Sequence, residues 1–252
     1  MQNQKSKNLV FDIETIGEDF DKMDETTQEV LTRWIKKTSE DDKVFQYELD
    51  QVKNRTGFSP FTGEIVAVGV LDADGEGLSE ESSGAAFKGA VYYQSSGEDA
   101  GEIEEDGFKF KVMSEKEMLE KFWQLALVCQ EFISFNGRCF DIPFLMIRSA
   151  IHQIKPSKNL LSNRYLNLQP ANAKHIDLMD QLSFYGAVSK KTNLHLACRS
   201  FGIKSPKAGG VTGDDVGKLF KEKKFLDIAK YNSGDLIATK ELYEFWKNYL
   251  KV

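Results

Sequence analysis

Long apolar runs are missing from this chain of 252 residues. The longest clean one, Ile65 to Leu71, is far short of the ~20 residues that a membrane-spanning helix needs. The opening segment Met1 to Lys7 is polar and lacks the apolar stretch of a secretory signal. Cysteine is scarce: Cys129, Cys139 and Cys198 are odd in number, widely spaced and form no CxxC pair. A disulfide framework and a zinc knuckle are both excluded on that pattern, and a reducing compartment is expected. These absences together predict a soluble, cytoplasmic protein with no membrane partner. Nothing near Cys139 in sequence lowers a thiol pKa, so a buried structural thiol is expected there.

What is present is 41% apolar residues, enough for one sizeable core, and a net charge of −6 that is unevenly spread. Residues 137–252 carry 19 Lys and Arg against 10 Asp and Glu, a net of +9. Residues 72–107 hold 11 acids and one lysine, a net of −10. The basic C-terminal half offers a footing for phosphates. For any single run, such as Lys190-Lys191 or Lys221 to Lys224, a solvated face is the plainer reading.

Periodicity predicts strands over Asn8–Ile13, Ile65–Leu71, Phe108–Val112, Glu131–Phe135 and His175–Leu178. Helices are expected over Asp24–Lys37, from a Ser114/Glu117 capping box to Val128, over Ile142–Ile154, and over Asn193–Phe201 ending at Gly202. Gly213–Val252 reads as helical in three pieces, and the stretch after Lys37 as polar. The acidic 72–107 segment reads as a long hairpin or meander around Ala90–Tyr93, with mobile tips. No linker or internal repeat interrupts the chain, so a single α/β domain over 1–252 is expected.

Three elements carry chemistry. Asp12 and Glu14 close an apolar strand two residues apart, which puts both carboxylates on one face with Ile13 on the other. Adjacent carboxylates repel unless a cation shares them, and hard divalent ions prefer oxygen ligands. Asp141 follows a buried strand and the turn Asn136-Gly137, and helix capping is its plainer explanation. Tyr231 and Asp235 are four apart and would share a helix face. Asp180 is a candidate cap, Asp177 is unassigned, and Phe144 is expected in the core. Each element alone is as well explained by ordinary structure.

In this order, Phe11-Asp12-x-Glu14-Thr15, Asn136-Gly137 with Phe140-Asp141-x-Pro143-Phe144-Leu145, and Tyr231-x3-Asp235 resemble the DEDD superfamily of 3′→5′ exonucleases. Nearest is the predicted exonuclease family related to the exonuclease domain of family B DNA polymerases. The resemblance spans about 8–250 and implies a ribonuclease H-like mixed sheet flanked by helices, with 72–107 as an acidic hairpin insertion. Tyr231, four before Asp235, makes it the tyrosine type; His152, His175 and His195 fall outside the catalytic position.

The resemblance also implies a mechanism. Asp12, Glu14 and Asp235 would hold one Mg²⁺ or Mn²⁺ ion, with Asp12 shared to a second that Asp141 supports through water. Tyr231 would orient the attacking water. Thr15, Asn136 and Phe140 would lie against the terminal nucleotide of a nucleic acid with a free 3′ end, releasing nucleoside 5′-monophosphates. Single-stranded DNA is favoured. RNA 3′-end trimming and a non-catalytic nucleic-acid-binding domain are the alternatives. A proofreading or DNA repair role would require a separate polymerase or repair partner.

Overall fold

The strand β1 (Lys7–Gly17) has Leu9, Val10, Phe11 and Ile13 buried on alternating faces. A strand apolar on both sides must lie inside a sheet covered on both faces, and β1 does. The computed structural model describes residues 7–38, 41–74, 78–79, 86–96, 101–190, 192–205 and 212–251.

The other strands are β2 (Gly63–Asp72), the short pair β3 (Leu78–Ser79) and β4 (Ala86–Phe87), β5 (Gly89–Tyr93), β6 (Glu102–Glu105), β7 (Phe108–Val112), β8 (Cys129–Ser134) and β9 (Lys174–Asp177). Seven of them form a mixed sheet in the order β6-β7-β5-β2-β1-β8-β9. β1 runs antiparallel to β2 and parallel to β8. The helices are α1 (Glu25–Thr32), α2 (Ile35–Thr38), α3 (Asp42–Asn54), α4 (Glu115–Val128), α5 (Asp141–Ile151), α6 (Leu178–Leu182), α7 (Leu194–Ser200), α8 (Val216–Lys221) and α9 (Phe225–Tyr249).

Leu9, Phe11 and Ile13 pack with Phe122 of α4 and Leu145 of α5 on one face. Val10 and Ile16 pack with Leu178, Cys198, Val216 and Leu236 of α6 to α9 on the other. Each fully buried Phe or Leu side chain contributes roughly 1.5–3 kcal/mol, so β1 is fixed by both layers. Asp12 and Glu14 share the second face, beneath α9. Among the described residues no helix is long and apolar enough to cross a membrane.

Local signals in the sequence locate most of these ends. Ser114 and Glu117 form the reciprocal capping box of α4. Asn193 accepts the Leu196 N–H at the start of α7, and Gly202 takes a positive φ of 71° just beyond its end. Gly213–Asp215, α8 and α9 are the three expected pieces.

Four expectations are corrected. The 24–37 helix breaks at Arg33-Trp34, and the polar stretch beyond holds the 13-residue α3. No residue of α3 is fully buried, although Phe45, Leu49 and Val52 recur at helical spacing and are its half-buried side. Cys139 is exposed, because it sits on the outside of the turn that joins β8 to α5. Asp177, not Asp180, caps α6 by accepting the Met179 N–H, while Asp180 pairs with Arg164. Asp141 is the first residue of α5 rather than its cap. The tips of the acidic insertion (75–77, 80–85 and 97–100) lie outside the described residues.

Glu115 ties the two halves of the first layer together. Its carboxylate accepts the Ile65 N–H at 2.8 Å, both Arg148 donors at 2.8 and 2.7 Å, and contacts His152 Nε2 at 2.6 Å. Burial pushes this carboxyl up, but the bonds from Arg148 and Ile65 outweigh it and hold it below the usual glutamate range. A depressed folded pKa stabilises the protein above the unfolded value, about 4.3, and that stabilisation is lost as pH falls through the lower folded value. Glu115→Ala should destabilise by about 3 kcal/mol, because Arg148 loses its partner. Denaturant melts of the two proteins should converge as pH drops below about 4.

Candidate metal centre

The period of β1 brings Asp12 and Glu14 to one face, and β2 supports them: Asp12 pairs with Gly69 and Glu14 with Ala67. The register shifts immediately afterwards, between Glu14 and Thr15. A bulge re-aims the next side chain, and the Thr15 hydroxyl donates to the Gly57 carbonyl at 2.7 Å. That bond seats the turn Thr56–Phe58 against the end of β1. Gly17 is needed there, since a Cβ on it would lie 1.9 Å from Thr56 Oγ1.

Pairing of β1 with β8 stops at Val10 and Ile133. Past that point Asp141 Oδ1 accepts the Ile13 N–H at 3.1 Å. Asp141 is 3% exposed, and its side chain is spent on β1 rather than on its own helix. The loop before it is built in detail. Asn136 sits at φ 66°, a left-handed conformation that asparagine tolerates. Asp177 accepts the N–H groups of Asn136 at 2.9 Å and Arg138 at 3.0 Å. Gly137 cannot carry a Cβ, which would lie 2.2 Å from Ser134 Oγ. His175 Nε2 meets that same hydroxyl at 2.8 Å, and burial drives this imidazole down to about 3, so it is a neutral structural group.

From the opposite end of the chain, α9 lays Tyr231, Asn232 and Asp235 over the same strand. One carboxylate oxygen from each of Asp12, Glu14 and Asp235 can be chosen so that the three lie within 4.8 Å of one another. The Tyr231 phenol feels the Asp235 carboxylate one helical turn away. Asn232, fully buried, donates Nδ2–H to Asp12 Oδ2 at 2.8 Å and reaches Glu14 Oε1 at 3.5 Å.

The electrostatics show what this crowding costs. Burial, then the charges of Asp141, Asp235 and Glu14, raise the Asp12 carboxyl well above its ordinary range. Burial and Asp235 do the same to Glu14, against the Asn232 hydrogen bond. Asp141 is lifted to about 7 by burial, with Asp177 and Asp235 adding to it and the Ile13 N–H opposing. Burial first, then Asp235, Glu14 and Asp12, push the Tyr231 phenol far up, so it stays protonated at any working pH. Four acids in mutual repulsion, all oxygen donors with no His or Cys among them, suit a hard divalent cation.

The profile of a family described as a predicted 3'-5' exonuclease related to the exonuclease domain of PolB matches residues 95–249. The chain belongs to this family. The family match includes Asn136, Phe140, Asp141, Tyr231 and Asp235, but not β1. A structural likeness reaches further: the family B DNA polymerase of the hyperthermophilic archaeon Pyrobaculum calidifontis aligns with 96% of this chain at a TM-score of 0.52 and 14% identity. That alignment covers 24% of the polymerase chain, so this protein spans about a quarter of its length. Identity so low shows the fold alone, and that fold is the α/β arrangement expected from sequence. No curated protein matches the chain.

Of the residues picked out in sequence, Asp12, Glu14, Tyr231 and Asp235 come together, and Asp141 stands beside them on the β1 edge. Phe140 is half-buried, with its ring 5.0 Å from Phe144 and 6.3 Å from Phe58. Phe144 is in the core. Sequence reasoning missed Asn232, Gly69, Phe58 and the loop-building role of Asp177. Asn232 lies inside the Tyr231-x3-Asp235 motif, three residues before Asp235, a spacing that puts the two on one side of a helix.

Asp141→Asn keeps the Oδ1 acceptor and removes one charge. A carboxyl raised in the folded state makes the metal-free protein gain stability as pH falls from about 7 toward the unfolded value near 3.9. The variant should therefore be more stable than the parent by on the order of 2 kcal/mol at pH 8 without divalent ions. Thermal melts in chelator should show that gap closing by pH 4.

Proposed function

We propose that this protein is a metal-dependent 3′→5′ exonuclease that hydrolyses the terminal phosphodiester of a single strand, DNA in preference to RNA, and releases nucleoside 5′-monophosphates. The observation that carries the reading is the convergence of Asp12 and Glu14 with Asp235, more than 220 residues away, beside Asp141 and Tyr231. Family membership supports the reaction class. DNA is favoured because the family takes its description from PolB and the similar structure is that of a DNA polymerase.

Asp12, Glu14 and Asp235 would hold one Mg²⁺ or Mn²⁺ ion, with Asp12 and Asp141 serving a second. Bound there, divalent ions supply charge neutralisation at the phosphate and a more acidic water at neutral pH. The protein's own groups do the rest. Tyr231, its phenol held protonated, would orient the attacking water and not act as its base. Asp141, pinned by the Ile13 N–H, keeps its other oxygen for ligation. Phe140 and the 54% exposed Phe58 form an aromatic wall above the end of β1, suited to a terminal base. Asn136 and Thr15 would border the terminal nucleotide from the same side.

A 5′-labelled single strand should be shortened stepwise from its 3′ end in Mg²⁺ or Mn²⁺, and chelator should stop the reaction. Asp12→Ala or Asp235→Ala should each lower kcat by about 10³-fold or more. Tyr231→Phe should cost about 10- to 100-fold while leaving the alkaline limb of the pH profile in place, since the phenol does not titrate. Matched DNA and RNA strands decide the preference. No shortening of either by the intact protein, in either metal, overturns the proposal.

A further inference from the structure

Asn232 makes two structural sacrifices for one contact. Its Oδ1 is fully buried with no hydrogen-bond partner, an arrangement that folded proteins avoid because the oxygen has given up water for nothing. Opposite it, Gly69 interrupts the interior of β2 between Val68 and Val70, where glycine weakens a strand. A Cβ on Gly69 would lie 1.9 Å from Asn232 Oδ1 and 2.7 Å from Leu236 Cδ1. The strand has been cleared at the position paired with Asp12 so that this amide can lie flat against it.

What the two sacrifices secure is the placement of Nδ2, 2.8 Å from Asp12 Oδ2 and 3.5 Å from Glu14 Oε1. The choice of an amide has a physical reason. Lysine or arginine at this place would neutralise the carboxylates and compete with a metal ion. An apolar side chain would leave them free to swing apart. A neutral donor holds one oxygen of each acid and leaves the full negative charge, with Asp12 Oδ1 and Glu14 Oε2 available to a cation. Asn232 and Asp235, three residues apart, share one side of α9 and meet the same two acids, so the helix contributes a ligand and a spacer together.

We infer that Asn232 is a positioning residue of the metal centre, its buried amide setting the spacing of Asp12 and Glu14 for a divalent cation, with Gly69 as its required partner. The inference rests on the metal-centre reading above. It predicts that Asn232 acts through metal affinity, not through contact with the nucleic acid.

The test is calorimetric titration of the metal-free protein with Mn²⁺, beside kcat, KM and melting temperature. Asn232→Ala should weaken Mn²⁺ binding by at least 10-fold and lower kcat at fixed metal, with KM for the strand within 2-fold of the parent. Asn232→Leu, close to asparagine in shape but without a donor, should weaken Mn²⁺ in the same way and serves if the alanine variant does not fold. Gly69→Ala should also weaken Mn²⁺ binding, by displacing the amide, and its effect should largely vanish in an Asn232→Ala background. If the parent binds Mn²⁺ and both Asn232 variants bind it equally well, this inference falls alone. If affinity drops only in proportion to lost folding, it falls too. A parent that binds no Mn²⁺ overturns the metal-centre reading and this inference with it.

Discussion

Electrostatic repulsion among Asp12, Glu14, Asp141 and Asp235 is the constraint on which the rest of the structure turns. A folded chain does not gather four acids at a partly closed site unless the surrounding framework holds them there. Here the framework is β1, packed on both faces and locked between β2 and β8. Asp141 is tethered to the backbone of β1 itself, so the second acidic element cannot drift from the first. Asp235 is carried by the 25-residue α9, whose Leu236, Leu242 and Trp246 are anchored in the core. Burial first, and then this repulsion, raises the carboxyl pKa values of Asp12, Glu14 and Asp141 in the metal-free state, and a bound cation would relieve the repulsion.

The loop between β8 and α5 shows how far the sequence is committed to this geometry. Asp177 grips two of its backbone N–H groups, neutral His175 braces Ser134 beneath it, and Gly137 is the one residue type that fits above that serine. None of these touches the carboxylate cluster, yet together they decide where Phe140 and Asp141 stand. The turn Thr56–Phe58 is placed from the other side by the Thr15 hydroxyl. The ring of Phe58 then meets that of Phe140 edge to face at 6.3 Å, which joins two segments far apart in sequence.

Much of this was legible before any coordinates. The capping box at Ser114, the Gly202 stop and the continuous apolar strands each have a strong local cause, and the elements appear where those causes lie. The Asp12/Glu14 pair followed from strand period alone. What could not be read depends on tertiary contact. α3 is an exception: it faces Trp34 and Leu31 across a shallow cleft instead of the core, but its Phe45, Leu49 and Val52 do recur at helical spacing, so this helix was readable in the sequence and sequence reasoning missed it. Cys139 is exposed by the shape of a turn, not by its neighbours in sequence. Asp177 and Asp180 differ only in which long-range partner reaches each. Asn232 shares a side with Asp235 by helix period, but an amide there carries no signal of its own in the sequence, and only its contacts with Asp12 and Gly69 show why it is there.

The central claim is that Asp12, Glu14 and Asp235 form a cation site. Anomalous diffraction from crystals soaked in Mn²⁺ tests it most directly. The account predicts an anomalous peak between those three side chains, within ligand distance of at least one oxygen of each. Its removal by Asp12→Ala, with the fold unchanged, would complete the result. A well-occupied Mn²⁺ elsewhere on the protein, with nothing between Asp12, Glu14 and Asp235, would contradict the account.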